Sequence, residues 1–388
     1  MRLLGMQPKG FRCCAKNVGI KDTSLDFTVI TSDVPAAAAA MFTRNSFCGP
    51  AITVGREHVR DGRLQAFVIN SKNANVATGE QGLANVREVV RLVAEELSIT
   101  PEDILPSSTG VIGRQLPMER LRQGIAGIQQ QLRYGHLEQA AQAIMTTDTY
   151  PKMHCCRVGN ATLVGIAKGV GMIEPDMATM LAYFMTDASL TPEQLHTILK
   201  DAVDDSFNMV SVDTDTSTSD TVAIMANGLA GEVNLADFQQ ALRDMCVRLA
   251  RELARDGEGA TKLIEVTVKN ALDGQQAKRV AKSIVNSPLV KAAIFGADPN
   301  WGRIAMAIGK CYEQDTIVPE KTDIAFGYIP VYHRGLAMDE GHLSALKNYL
   351  RRDEISINVS LGLGDQQARV WGCDLSYDYV KINGTYTS

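Results

Sequence analysis

A threonine at position 179, set in the stretch KGVGMIEPDMATML over residues 168–181, has the surroundings of a residue that becomes a chain terminus. If the bond between Ala178 and Thr179 breaks, one residue carries both a hydroxyl nucleophile and an α-amine. Such an amine titrates at about 8, so it serves as general base at neutral pH without any histidine. The ordinary alternative is a threonine packed among Met, Ala and Leu on a helix or strand. The flanks favour the first reading. Gly169 and Gly171 punctuate the approach, Pro175 biases Glu174 away from helix, and the apolar run resumes only at Met177. The backbone therefore bends just before the threonine, and a strained bend is where an N-to-O acyl shift can start.

Other segments have residue types suited to the same chemistry. SSTGVIG at 107–113 puts small residues around Thr109 and Gly110. There a backbone N–H and a hydroxyl can converge on a developing oxyanion, each donor contributing about 3 kcal/mol to the transition state; the alternative is an ordinary turn. DGEGATK at 256–262 lacks the Gly-x-x-x-x-Gly-Lys-Ser/Thr spacing of a phosphate loop. Glu258 between its two glycines reads either as an acid presented to a substrate ammonium or as an exposed turn carboxylate. Gly169-Val-Gly171 is not a dinucleotide fingerprint, because Glu174 stands where the third glycine belongs. DTDTSTSDT at 213–221 is either a solvated loop or, given its apolar flanks at Met209-Val210 and 222–225, the lining of a polar pocket.

The elements that must position these groups come from a chain of 388 residues, 45% hydrophobic and 6% aromatic, enough to bury a catalytic site in layered structure. A formal charge of −5 and a pI near 5.8, with basic residues scattered among acids, exclude a nucleic-acid role. No apolar signal-peptide core stands at the N-terminus and no run reaches the roughly eighteen apolar residues of a membrane span, so a cytoplasmic protein without membrane partners is expected. The eight cysteines read as reduced thiols, and neither C-x-x-C nor paired-histidine spacing suggests a metal.

Apolar periodicity predicts strands over 26–31, 65–70, 181–186, 262–268, 323–329 and 355–361. Helices are expected over 82–97, 118–132, 136–145 and 237–255, and a capped one over 191–207 opening Thr-Pro-Glu. The result is a mixed α/β chain without a linker or a repeat of fixed period. Because the proposed cut follows a loop and precedes an apolar strand, the fragments 1–178 and 179–388 are expected to share one core.

Six blocks resemble, in order and spacing, the ornithine acetyltransferase family: SSTGVIG at 107–113, MTTDTYPK at 145–152, the 168–181 stretch, DGEGATK at 256–262, DPNWGRI at 298–304 and the tail 378–388. IEPDM at 173–177 and DTDTSTSD at 213–220 look nearest to the branch associated with clavulanic acid biosynthesis. The resemblance implies a layered α/β fold of N-terminal-nucleophile type, self-cleaved into an α chain ending at Ala178 and a β chain beginning at Thr179. It implies Thr179 as nucleophile, Thr109 and Gly110 as oxyanion hole, and Thr146, Lys168, Glu258, Asn383 and Ser388 as substrate-binding residues. The implied reaction carries acetyl from N-acetylornithine to glutamate through a Thr179 ester, with no coenzyme, in a protein that pairs two αβ units. With Asn383 and Ser388 in the site, the C-terminal tail must fold back and be ordered. Lys72, in NSKNAN at 70–75, departs from the glycine usual in arginine-pathway members; it either reaches the acceptor's carboxylate or faces solvent. The rival readings are an amidase passing the acyl group to water and an uncleaved binding protein.

Overall fold

The computed structural model describes residues 6–174, 180–312, 316–338, 341 and 343–385. Ala178, Thr179 and Ser388 lie outside them. The chain divides into two compact units, the first of residues 1–169, 174–208 and 216–249, the second of 170–173, 209–215 and 250–388. This division does not follow the 178/179 boundary: the first unit contains chain from both sides of it.

In the first unit the strands are β1 (Phe11–Lys16), β2 (Phe27–Phe42), β3 (Arg63–Asn70), β4 (Ile104–Ser108), β5 (Arg133–Tyr134), β6 (Lys152–Val158), β7 (Ala161–Lys168), β8 (Leu181–Ser189) and β9 (Thr221–Glu232). They form one sheet in the order β4-β3-β2-β9-β8-β7-β6, with β1 on β2 and β5 on β1. β3/β4 and β8/β9 run parallel and the other pairs antiparallel. The helices are α1 (Pro50–His58), α2 (Gly79–Leu97), α3 (Met118–Ile125), α4 (Leu137–Ala143), α5 (Pro192–Asp204) and α6 (Leu235–Arg255), the last crossing into the second unit.

Strand alternation makes the layers. On β3, Ala66 and Val68 pack with Val89, Val90 and Val93 of α2 and Leu121 and Ile125 of α3. Phe67 and Ile69 point the other way, into a core shared with Leu137, Ala140 and Ala141 of α4 and Tyr183 of β8. Helices thus cover both faces of the sheet.

β2 runs far past the expected 26–31. A break in pairing between Thr31 and Ala36 lets its first half bond to β1 and β3 and its second half to β9. Pro35 and the alanines after it are poor strand formers, and pairing with β9, together with β3 at Ala36 and Ala37, makes them one. The helix expected over 118–132 stops at Ile125, followed by Gly127 at φ +71°.

β7 and β8 flank the proposed cut and are neighbours in the sheet, with Lys168 opposite Leu181. Among the described residues, both sides of the Ala178–Thr179 bond therefore end in one hydrogen-bonded ladder.

The second unit has strands β10 (Leu263–Ala271), β11 (Asp323–Phe326), β12 (Ile329–His333), β13 (Leu336–Ala337), β14 (Glu354–Ser360) and β15 (Gln366–Cys373), in the order β13-β12-β11-β14-β10-β15. The expected single strand over 323–329 is two, because Gly327 at φ +56° turns the chain between β11 and β12. The helices are α7 (Gly274–Val285), α8 (Pro288–Phe295), α9 (Gly302–Gly309), α10 (Leu343–Leu350) and α11 (Tyr377–Gly384). Ile264, Val266 and Val268 of β10 join Ile355, Ile357 and Val359 of β14 and the apolar sides of α7, α9 and α10 in one core. No helix among the described residues is long and apolar enough to cross a membrane.

Candidate active site

In the first unit, Thr109 and Gly110 follow the buried end of β4. The Thr109 N–H donates to the Asn70 carbonyl at 3.1 Å, and Val111 N–H to the Lys72 carbonyl at 3.0 Å. The Ser108 hydroxyl donates to Asn70 Oδ1 at 2.6 Å, and Asn70 Nδ2 to the Asn73 carbonyl at 2.8 Å. The main chain of Thr109 is thereby fixed and its own amide consumed. Among the described residues, neither the Thr109 hydroxyl nor the Gly110 N–H is engaged, so these are the two donors available to an oxyanion. Gly110 has φ +130°, and a Cβ there would run into the Lys72 carbonyl, so only glycine fits. Lys72 is exposed and left-handed at φ +75°. Its conformation suits the glycine usual at that position, and its side chain lies toward solvent.

Thr146 and Lys168 are brought together as expected, with Lys168 Nζ 3.4 Å from Thr146 Oγ1 at the end of β7. Beneath them lies the carboxylate of Asp148, which no motif in the sequence singles out. Asp148 accepts from Lys152 Nζ at 2.9 Å and from the Gly169 N–H at 2.9 Å through Oδ1, and from the Thr146 N–H at 3.1 Å through Oδ2. Both side chains of the Asp148–Lys152 pair are 0% exposed. Burial pushes the Asp148 carboxyl up, but Lys152 and Lys168, with the Gly169 amide, outweigh it and hold it below the usual carboxylate range. The only sequence signal was the four-residue spacing of Asp148 and Lys152 inside the MTTDTYPK block.

Two further groups stand near Lys168. Lys21 donates to the carbonyls of Leu25 and Met145, each at 2.8 Å. Burial lowers it to about 8 against the opposing pull of Asp26 and Asp148. Asp220, at the start of β9, is buried, and its Oδ2 has no hydrogen-bond partner among the described residues. Burial pushes this carboxyl well up, while Ser217, Lys168 and Thr43 pull it back. With Thr218 and Ser219 also buried, the 213–221 run is no simple solvated loop.

In the second unit, Glu258 is 8% exposed, which sets aside the reading of an exposed turn carboxylate. Its N–H donates to the Val170 carbonyl at 2.8 Å, and a Cβ on Gly171 would run into its carboxylate, which explains that glycine. Asn383 Nδ2, on α11, donates to Glu258 Oε2 at 2.8 Å. Among the described residues of the tail, α11 brings Asn383 to Glu258. Nearby, Tyr379 donates to Asp213 Oδ2 at 3.4 Å. Burial, with Asp213 and Glu258 beside it, pushes the Tyr379 phenol up.

In the first unit a fixed hydroxyl–amide pair and a buried ammonium beside a hydroxyl, and in the second unit, taken by itself, a buried carboxylate braced by an amide, are group types that acyl transfer between charged amino acids can use. Comparison with known proteins places the chain within that class. Residues 12–388 match the ArgJ family. The chain is 51% identical over 381 residues to the arginine biosynthesis bifunctional protein ArgJ 2 of a Nostoc species, covering 98% of each chain. It is 52% identical over 383 residues to ArgJ 2 of Clostridium acetobutylicum, again covering 98% of each. It is 49% identical over 385 residues to the glutamate N-acetyltransferase Oat2 of Streptomyces clavuligerus, with the same coverage. The chain belongs to the ArgJ family, and the expected enzyme class, acetyl transfer, comes with that membership.

Proposed function

We propose that this protein cleaves itself between Ala178 and Thr179 and then carries the acetyl group of N-acetylornithine to glutamate by a ping-pong reaction. The observation that supports this reading best is the pair of unengaged donors at Thr109 and Gly110, held by a backbone that no side chain at position 110 could share. Thr179 Oγ adds to the acetamide carbon while its proton moves to the Thr179 α-amine. The oxyanion rests on the Thr109 hydroxyl and the Gly110 N–H. The C–N bond breaks, the proton passes to the departing amine, and ornithine leaves an acetyl ester on Thr179. The amine of glutamate then attacks the ester, and a proton returns to Thr179 Oγ. Lys168, steadied by Thr146, pairs with a substrate carboxylate, and Glu258, steadied by Asn383 and joined by Ser388, pairs with a substrate ammonium. Two processed αβ units form the working oligomer.

Incubation with N-acetylornithine, with and without glutamate, distinguishes transfer from hydrolysis. Acetylglutamate is the expected product, whereas free acetate at the same rate in both samples would establish an amidase. Thr179→Val should leave an intact chain with turnover reduced at least a thousandfold, as expected for loss of an activated nucleophile. Full transferase turnover in that variant refutes the mechanism.

A further inference from the structure

Lys21 has a place in the first unit that the reaction just described leaves unused. Its loop is held by one carboxylate: Asp26, fully buried, accepts the Val18 N–H through Oδ1 at 2.7 Å, and the Ile20 and Lys21 N–H groups through Oδ2 at 2.7 and 2.8 Å. Ser71 ties that loop to the candidate site. Its N–H donates to the Asp26 carbonyl at 2.9 Å and its hydroxyl to the Ala143 carbonyl at 2.6 Å. The 21–26 loop, the turn leading to Lys72 and the segment leading to Thr146 are thereby one hydrogen-bonded cluster, all of it within the first unit.

In that cluster the half-buried Lys21 ammonium bonds only to neutral groups. Two of its three protons go to the carbonyls of Leu25 and Met145. Met145 directly precedes Thr146, whose hydroxyl lies 3.4 Å from Lys168 Nζ, so two ammonium groups reach adjacent residues. Among the described residues no carboxylate touches Lys21. The oxygens of Asp26 take main-chain amides, and those of Asp148 take Lys152 and the amides of Thr146 and Gly169. An ammonium drawn out of water without a contacting counter-ion is costly, and a neutral donor would hold the same two carbonyls without that cost. The remaining proton and the charge suit a bound anion.

We infer that Lys21 is a specificity-determining residue, whose ammonium takes the second carboxylate of a dicarboxylate acceptor while the first pairs with Lys168. This assignment rests on the transfer reading above and deepens it. N-acetylornithine carries one carboxylate and glutamate two, so a second ammonium next to the first gives the acceptor a contact that the donor lacks. Discrimination is a difference of affinities, and this contact supplies one. The groups facing Lys21 also set a pH dependence. Asp26 and Asp148 favour its charged form; Lys168, Lys72 and above all burial oppose it, and the ammonium is lowered to about 8. The contact is therefore present below that pH and lost as pH rises through it.

Steady-state kinetics on the purified enzyme test this. Lys21→Met should raise the glutamate KM about tenfold, the worth of one charge-assisted hydrogen bond, and the N-acetylornithine KM by at most about twofold. Lys21→Arg, which keeps the charge, should recover glutamate affinity. An equal rise in both KM values would mean that Lys21 merely staples two carbonyls, and overturns the assignment. A second measurement needs no variant, and so decides even if substitution at Lys21 prevents folding. On wild type, inhibition of ornithine release is compared for glutarate and pentanoate, five-carbon acids with two carboxylates and one, from about pH 6.5 to about pH 9.5, where neither acid titrates. Glutarate should weaken about tenfold relative to pentanoate as pH passes about 8. Pentanoate cancels any titration of Lys168 or of an α-amine. A constant ratio overturns the role of Lys21, whereas wild type that forms no acetylglutamate overturns instead the transfer reading beneath it.

Discussion

Asp148 and Lys152 show how a single pair sets the electrostatics around Lys168. Both are out of water, and Asp148 also accepts two backbone amides, so its charge is fully compensated. Removing one partner of such a pair costs roughly 3–5 kcal/mol, because the other charge is left buried alone. Asp148→Asn should therefore lower unfolding free energy by about that amount in denaturant melts at neutral pH. The pH dependence has a definite sign. The folded carboxyl titrates below its ordinary value of 3.8, so its contribution is complete above that value and is lost as pH falls through the lower folded one. Wild type should lose stability on acidification below about 4, and the variant should show a flatter acid limb. Lys72, by contrast, is an exposed residue whose left-handed backbone, not its ammonium, is what the neighbouring Thr109–Gly110 segment uses.

At the level of elements, local signals decided where helices begin better than where they end. Thr191 accepts from the Gln194 N–H at 3.3 Å and its own N–H donates to Gln194 Oε1 at 2.9 Å, with Pro192 at the first helical position. All three features are written in Thr-Pro-Glu-Gln, which is why α5 was legible. Thr191→Ala should cost about 1 kcal/mol of stability, read as a shifted denaturation midpoint with unchanged slope. The glycine-bounded Glu258 was equally visible as a motif, but its burial was not: turns of this composition usually face water, and here Val170, Gly171 and Asn383 enclose it. Strand β2 continues past the expected 26–31 through Pro35 and an alanine run of low strand propensity, and pairing with β9 supplies what propensity lacks.

For the molecule as a whole, the placement of β7 beside β8 bears on what cleavage does. The ladder from Lys168–Leu181 to Leu163–Thr186 joins chain from either side of the cut, and Tyr183 and Val164 share one core. The processed fragments should accordingly elute as one species in native gel filtration and separate only in denaturant; fragments that part without denaturant would contradict this packing. From its residues alone this chain determined its mixed α/β character and its family. These follow from local spacing, turn chemistry and the order of blocks along the chain, all of which are properties of neighbouring residues. Only the tertiary structure decided that Asp148 lies beneath Lys168, that Asn383 reaches Glu258 and that the Thr216 hydroxyl reaches the Glu174 carbonyl. Each of those contacts joins groups brought close by sheet order or chain return, and hydrogen bonds of that range leave no periodicity in the sequence to read.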